Sequence, residues 1–253
     1  MVLDRQVDFL TEERMARAAA KTDGATFELP ALDLQDMHVT IIGDTPLIVH
    51  AWSEKAKRIM LDKQTKAATR GREAKDPRED FNSSIYRLAD GRHGIPAVGL
   101  KNAGVTACTS IGAITKVAAR QAFFIMGERA TGEGSFEGST TSNALVPLLG
   151  LNPPIMREDL VRVGMGVADL RYRAEYFPWA CEFVVRFNKR VLSPEQIINL
   201  LDTAGFAVGL HEWRPERDGD QGRFHVAREI DDKFISKAAP IFDETTTTKK
   251  RAA

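Results

Sequence analysis

Residues 193–227, SPEQIINLLDTAGFAVGLHEWRPERDGDQGRFHVA, leave few ways to fold. Ser193 and Gln196 form an S-x-x-Q capping box, in which each side chain satisfies the other residue's amide. Pro194 suits the first helical position. Ile197, Leu200, Leu201 and Ala204 recur at helical spacing and give one apolar face. Gly205 is placed to stop the helix in a left-handed conformation. Beyond it come Gly209, Trp213, Arg214, Pro215, Arg217, Gly219, Gly222 and Arg223, then an alternating segment that starts at Phe224. Glycines admit close backbone approach. Trp213 offers a stacking face, and Arg214, Arg217 and Arg223 offer planar donor forks suited to phosphates. Two readings stay open: a surface loop with Trp213 as its core anchor, and a loop that faces a ligand.

The order helix, then G-x-x-x-W-R-P-x-R-x-G-x-x-G-R-F, then strand resembles the glycine-rich loop of the RAMP superfamily, which includes backbone subunits of CRISPR effector complexes. It also resembles phage-encoded proteins that share that fold. The similarity is best over 157–228 and thin before residue 95. It implies a ferredoxin-like core with finger-like and thumb-like arms, and subunits arranged head-to-tail along a strand.

Lys+Arg and Asp+Glu are both 35, so a phosphate-binding surface must be local. The strongest asymmetry lies at 55–72, where Lys55, Lys57, Arg58, Lys63, Lys66, Arg70 and Arg72 face one acid, Asp62. Ser53 to Arg70 reads as a helix poor in core-facing residues, either a solvated face or a track for a phosphate backbone. Cys108 and Cys181 sit in apolar sequence and read as buried thiols in a reducing compartment. The polar N-terminus shows no secretory signal and no apolar run reaches membrane-span length, so a cytoplasmic location, the host's if phage-encoded, is expected. No metal cluster or cofactor motif is present; the glycine-rich stretch 127–143 lacks the G-x-x-x-x-G-K-[ST] pattern.

Along the chain, 1–37 reads as an N-terminal arm and 38–232 as a RAMP-like domain with insertions at 44–95 and 127–157. Residues 233–253 read as a disordered tail. Strands are expected at 38–42, at 159–164 or 170–177, at 181–188 and at 223–228, and helices at 96–126 and 194–204. Asn82–Leu88 is a further strand candidate. That is an α+β, ferredoxin-like (RRM-like) order, β-α-β-β-α-β, with two large insertions. Asp169–Phe177 and Cys181–Phe187 alternate and are expected to pair, with Arg171, Arg173 and Arg186 on a shared polar face. Lys101, Lys116 and Arg120 read as isolated cationic contacts or as solvated side chains.

The function expected is non-enzymatic binding of single-stranded nucleic acid, with copies of the chain assembled along the strand. Lys55, Lys57, Arg58, Lys63, Lys66 and Arg70 would follow phosphates. Arg171, Arg173, Trp213, Arg214, Arg217 and Arg223 would contact backbone or bases. A role in phage replication or recombination comes from the resemblance alone. The alternatives are an assembly protein without nucleic acid and, less favoured, a metal-independent ribonuclease with His211 as base. His38, His50, His93 and His225 are scattered, and His50 reads as a packed side chain, with a ligand or a catalytic base as the alternatives.

Overall fold

The computed structural model describes residues 31–52, 58, 60–62, 64–65, 75–112, 114–129, 144–164 and 167–242. The elements run β1 (Leu34–Gly43), β2 (Leu47–Val49), α1 (Pro77–Ser83), β3 (Gly94–Pro96), α2 (Ala97–Ile111), α3 (Lys116–Ala122), β4 (Phe123–Met126), β5 (Glu128–Arg129), β6 (Ala144–Gly150), β7 (Ile155–Gly164), β8 (Val167–Tyr176), β9 (Trp179–Asn188), α4 (Pro194–Ala207), β10 (Phe224–Val226), α5 (Asp232–Ile235) and β11 (Ala239–Pro240).

Alternation fixes the central sheet. Val39 and Ile41 of β1 are buried, as are Phe183, Val185 and Phe187 of β9. The two strands pair antiparallel, from Leu34 opposite Asn188 to Ile42 opposite Ala180. β10 takes the other edge of β1, and β4 and β6 both take the other edge of β9. With β4 and β6 counted as one interrupted strand, the spatial order is β10-β1-β9-β4/β6, and α2 and α4 are the two crossovers. This is the ferredoxin-like α+β arrangement.

Small residues on the helices let them pack closely. A methyl at Gly104 would sit 3.0 Å from Phe123 Cζ, and one at Gly205 would sit 1.8 Å from the Phe224 carbonyl oxygen. The capping box of α4 is present: Ser193 Oγ accepts from the Gln196 amide at 3.3 Å, and Gln196 Oε1 accepts from the Ser193 amide at 2.9 Å. Gly205 does not end the helix, however. α4 continues to Ala207, and Gly209 takes the left-handed conformation, φ 69°. Gly205 serves close packing instead.

Several expected segments are placed differently. The second core strand is not 159–164 or 170–177; it is β4 with β6. Residues 116–122 are helical, but the chain turns to strand at Phe123, and four residues are too few for periodicity to separate the two. β8 and β9 do not pair. β7 and β8, which lie between β6 and β9 in the chain, make a separate three-stranded sheet with β2. Asn82–Leu88 holds the end of α1 and one isolated bridge, Arg87 to His93, rather than a strand. β1 begins at Leu34, inside the stretch assigned to the arm. β11 pairs with β6 and Ile241 is buried, so ordered backbone continues past Asp232 into the expected tail. Cys108 and Cys181 are buried free thiols. Among the described residues, no helix is long and apolar enough to cross a membrane.

Candidate nucleic-acid interface

The loop after α4 is held by backbone bonds along its length. The Leu210 amide donates to the Gly222 carbonyl at 2.9 Å, and the Gln221 amide to the Trp213 carbonyl at 2.9 Å. The Gly222 amide reaches the Pro46 carbonyl at 2.8 Å, and the Arg223 amide reaches Thr45 Oγ1 at 3.0 Å. These bonds tie the loop to the segment joining β1 and β2. Gly219 closes it, since a methyl there would lie 1.8 Å from the Trp213 carbonyl oxygen. His211, Trp213 and Asp218 adopt positive φ, at 60°, 55° and 58°. Such backbone costs about 1–3 kcal/mol per residue and persists where surrounding structure imposes it, often at functional sites.

Trp213 is 43% exposed and is not a core anchor. That role belongs to Trp179, fully buried, whose indole donates to the Thr45 carbonyl at 2.9 Å. Arg214 is engaged within the loop. Its Nε and Nη2 donate to Glu216 Oε2 at 3.0 and 2.8 Å, and Nη1 donates to the His211 carbonyl at 2.9 Å. Arg217 is exposed. Arg223 is half-buried and donates from Nε to the Asp220 carbonyl at 3.3 Å.

Between this loop and the helices lies a cavity of 580 Å³. α2 lines it with Val98, Gly99 and Asn102, and α3 with Lys116 and Arg120. The loop contributes His211, Arg214, Glu216 and Arg217, and Tyr86 closes one side. The Tyr86 and His211 rings are 5.8 Å apart, tilted by 48°. Burial pushes the His211 imidazole down to about 4, so it is neutral at physiological pH. No side chain caps the first turn of α2, whose Val98 and Gly99 border the cavity. The wall combines cations from two elements, an uncapped helix start, two rings and one carboxylate, Glu216, which is matched by Arg214; the remaining cations suit an anion.

The cations of the second sheet are elsewhere. Arg173 is only 1% exposed; its Nη1 lies 3.6 Å from Asp159 Oδ2 and 3.7 Å from Glu212 Oε2. Arg157 donates to Asp159 Oδ1 at 2.9 Å and to Glu175 Oε2 at 2.7 Å. His50, with Arg173 and Arg171, pulls the Glu212 carboxyl down to about 2. Arg171 lies 3.8 Å from Asp169 Oδ2. The expectation of an open polar face shared by Arg171, Arg173 and Arg186 is therefore corrected. Arg173 is enclosed among carboxylates, and Arg186 belongs to the other sheet, forked onto Asp36 at 2.7 and 2.8 Å. His50 is exposed rather than packed, with Nδ1 3.8 Å from Glu212 Oε1.

The structure thus brings Arg214 and Arg217 together with Lys116 and Arg120, and keeps Arg171 and Arg173 out of that cavity. Arg58 is described as helical and exposed; Lys55, Lys57, Lys63, Lys66 and Arg70 lie outside the described residues. Tyr86 and Asn102 also line the cavity, and no spacing signal in the sequence links them to the loop.

The sequence matches no known protein-family description and no curated protein. Among solved structures, the chain is similar to Cmr6 from Pyrococcus furiosus. The two share 12% identity with a TM-score of 0.35, over 78% of this chain and 100% of that one.

Proposed function

We propose that this chain is a non-enzymatic, single-stranded nucleic-acid-binding protein whose copies line up along the strand. One observation carries the reading: Lys116 and Arg120 of α3 converge with Arg214 and Arg217 of the glycine-bearing loop around one cavity. A chain with equal numbers of acidic and basic residues has gathered cations there. Exposed Trp213 on the same loop supplies a flat apolar face. Base stacking on such a ring is sequence-tolerant and contributes about 1–3 kcal/mol per base. Protection or annealing of single strands in phage replication or recombination is the role that the resemblance of the loop motif alone implies.

The test is anisotropy of a labelled single-stranded oligonucleotide titrated at low salt. Trp213→Ala and Arg217→Ala should each weaken binding, the former by about tenfold if one base stacks there. Affinity unchanged in both variants removes the loop from the interface. A second reading, assembly without nucleic acid, has its own support in the exposed Ile155, Met156, Leu160 and Leu170 of β7 and β8. Absence of any oligonucleotide binding by the wild-type chain selects it.

A further inference from the structure

The cavity is built unlike a continuous groove. Ile95, Ala103, Val105, Val208 and Leu210 line it and are all buried, which gives it an apolar floor. Lys116 is half-buried, and Arg120 and Arg217 are exposed, which places charge at the rim. Its 580 Å³ falls in the range of sites for one small ligand, about 300–1,000 Å³, and not of a run of nucleotides.

Charge then distinguishes what kind of nucleotide fits. Glu216 is already matched by the Arg214 fork. Lys116, Arg120 and Arg217 make no ion pair among the described residues and remain for the ligand. An internal phosphodiester brings a single negative charge. A phosphate monoester brings about −1.5 to −2 at pH 7 and has three acceptor oxygens. The rim therefore has more positive charge than an internal linkage would neutralise.

We propose that the cavity takes the phosphorylated end of a single strand. The terminal base lies on the apolar floor beside the Tyr86 and His211 rings, and the terminal phosphate meets Lys116, Arg120 and Arg217. This rests on the nucleic-acid reading above and adds to it a preference for an end: the copy seated at the terminus holds the phosphorylated nucleotide, and copies further along hold one internal nucleotide each in the same cavity.

The experiment uses the full chain and three oligonucleotides of one sequence, with a 5′-phosphate, a 3′-phosphate or hydroxyls at both ends. One phosphorylated form should bind at least about tenfold tighter than the hydroxyl-ended form, the worth of one charge-assisted hydrogen bond or more. Lys116→Ala with Arg120→Ala should weaken both forms and bring their ratio to one, with an unchanged melting temperature as the check on folding. Arg217→Ala, on an exposed side chain, should lower the same ratio by itself. A nucleoside monophosphate should compete better than inorganic phosphate. Equal affinity for all three oligonucleotides overturns the end preference and leaves the nucleic-acid reading standing. A ratio that survives in the double variant, or inorganic phosphate competing as well as the nucleotide, also overturns it. No binding of any oligonucleotide overturns both readings.

Discussion

Gly219→Ala isolates the loop from the rest of the fold. The added methyl would lie 1.8 Å from the Trp213 carbonyl oxygen, 2.3 Å from its carbon and 2.8 Å from its Cα. All three are backbone atoms, so no side-chain rotation relieves the contact. The strand of loop carrying Trp213 must move away by more than 1 Å, on the order of the gap to an ordinary contact of about 3.5–4 Å. That movement breaks the Gln221-to-Trp213 bond of 2.9 Å and strains the Gly219-to-Arg214 bond of 3.1 Å. Each is worth about 1 kcal/mol net. The two bonds together put the global cost at about 2 kcal/mol, a melting shift of roughly 2–4 °C per kcal/mol for a chain of this size. Binding should suffer more, because Arg214 and Arg217 leave the cavity wall together. The assay pairs thermal melting with oligonucleotide anisotropy, and Gly99→Ala is the counterpart. Gly99 borders the same cavity within α2 with open space around it, so alanine should stabilise by about 0.5–1 kcal/mol. A Gly219→Ala chain that binds as the wild type does would refute the reasoning that this loop geometry builds the site.

Other perturbations separate the core from the loop. Gly205→Ala forces α4 away from the Phe224 carbonyl and should destabilise by about 3 kcal/mol or more, seen as a large drop in denaturation midpoint. Cys181 is fully buried with its thiol pushed up by desolvation, and Cys108 is shifted the same way, so neither should react with a thiol reagent until the chain unfolds. His211 titrates near 4 when folded and near 6.5 when unfolded, so below 6.5 the unfolded chain binds the proton first. Its contribution is full above pH 6.5 and is lost as pH falls toward 4; His211→Asn, which tolerates positive φ, should flatten the melting profile in that window. Glu212 adds a second loss below its ordinary value of 4.5, down to about 2.

What was legible in the sequence was local. The Ser193–Gln196 box is written in four adjacent residues, and alternation exposes the buried faces of β1 and β9. Partners are a different matter. Alternation tells which side chains share a face but not which strand lies alongside, so the pattern of β8 suits β9 as well as its actual neighbours, β7 and β2. The second core strand is broken in two by 127–143, and each piece is short. Arg173 alternates like a surface residue and is buried because Glu212, far along the chain, packs near it with Asp159. Lys116 and Arg120 were visible only as scattered cations. Their meeting with Arg217 is a product of the α2–α4 packing, which leaves no trace in spacing.

The account depends on charge converging at that cavity, and the slope of log affinity against log salt measures it most directly. For a hydroxyl-ended single strand, each phosphate contact contributes about 0.7 to the slope. Lys116→Ala, Arg120→Ala and Arg217→Ala combined should therefore flatten it by about 2. A triple variant that folds normally and keeps the wild-type slope would contradict the account.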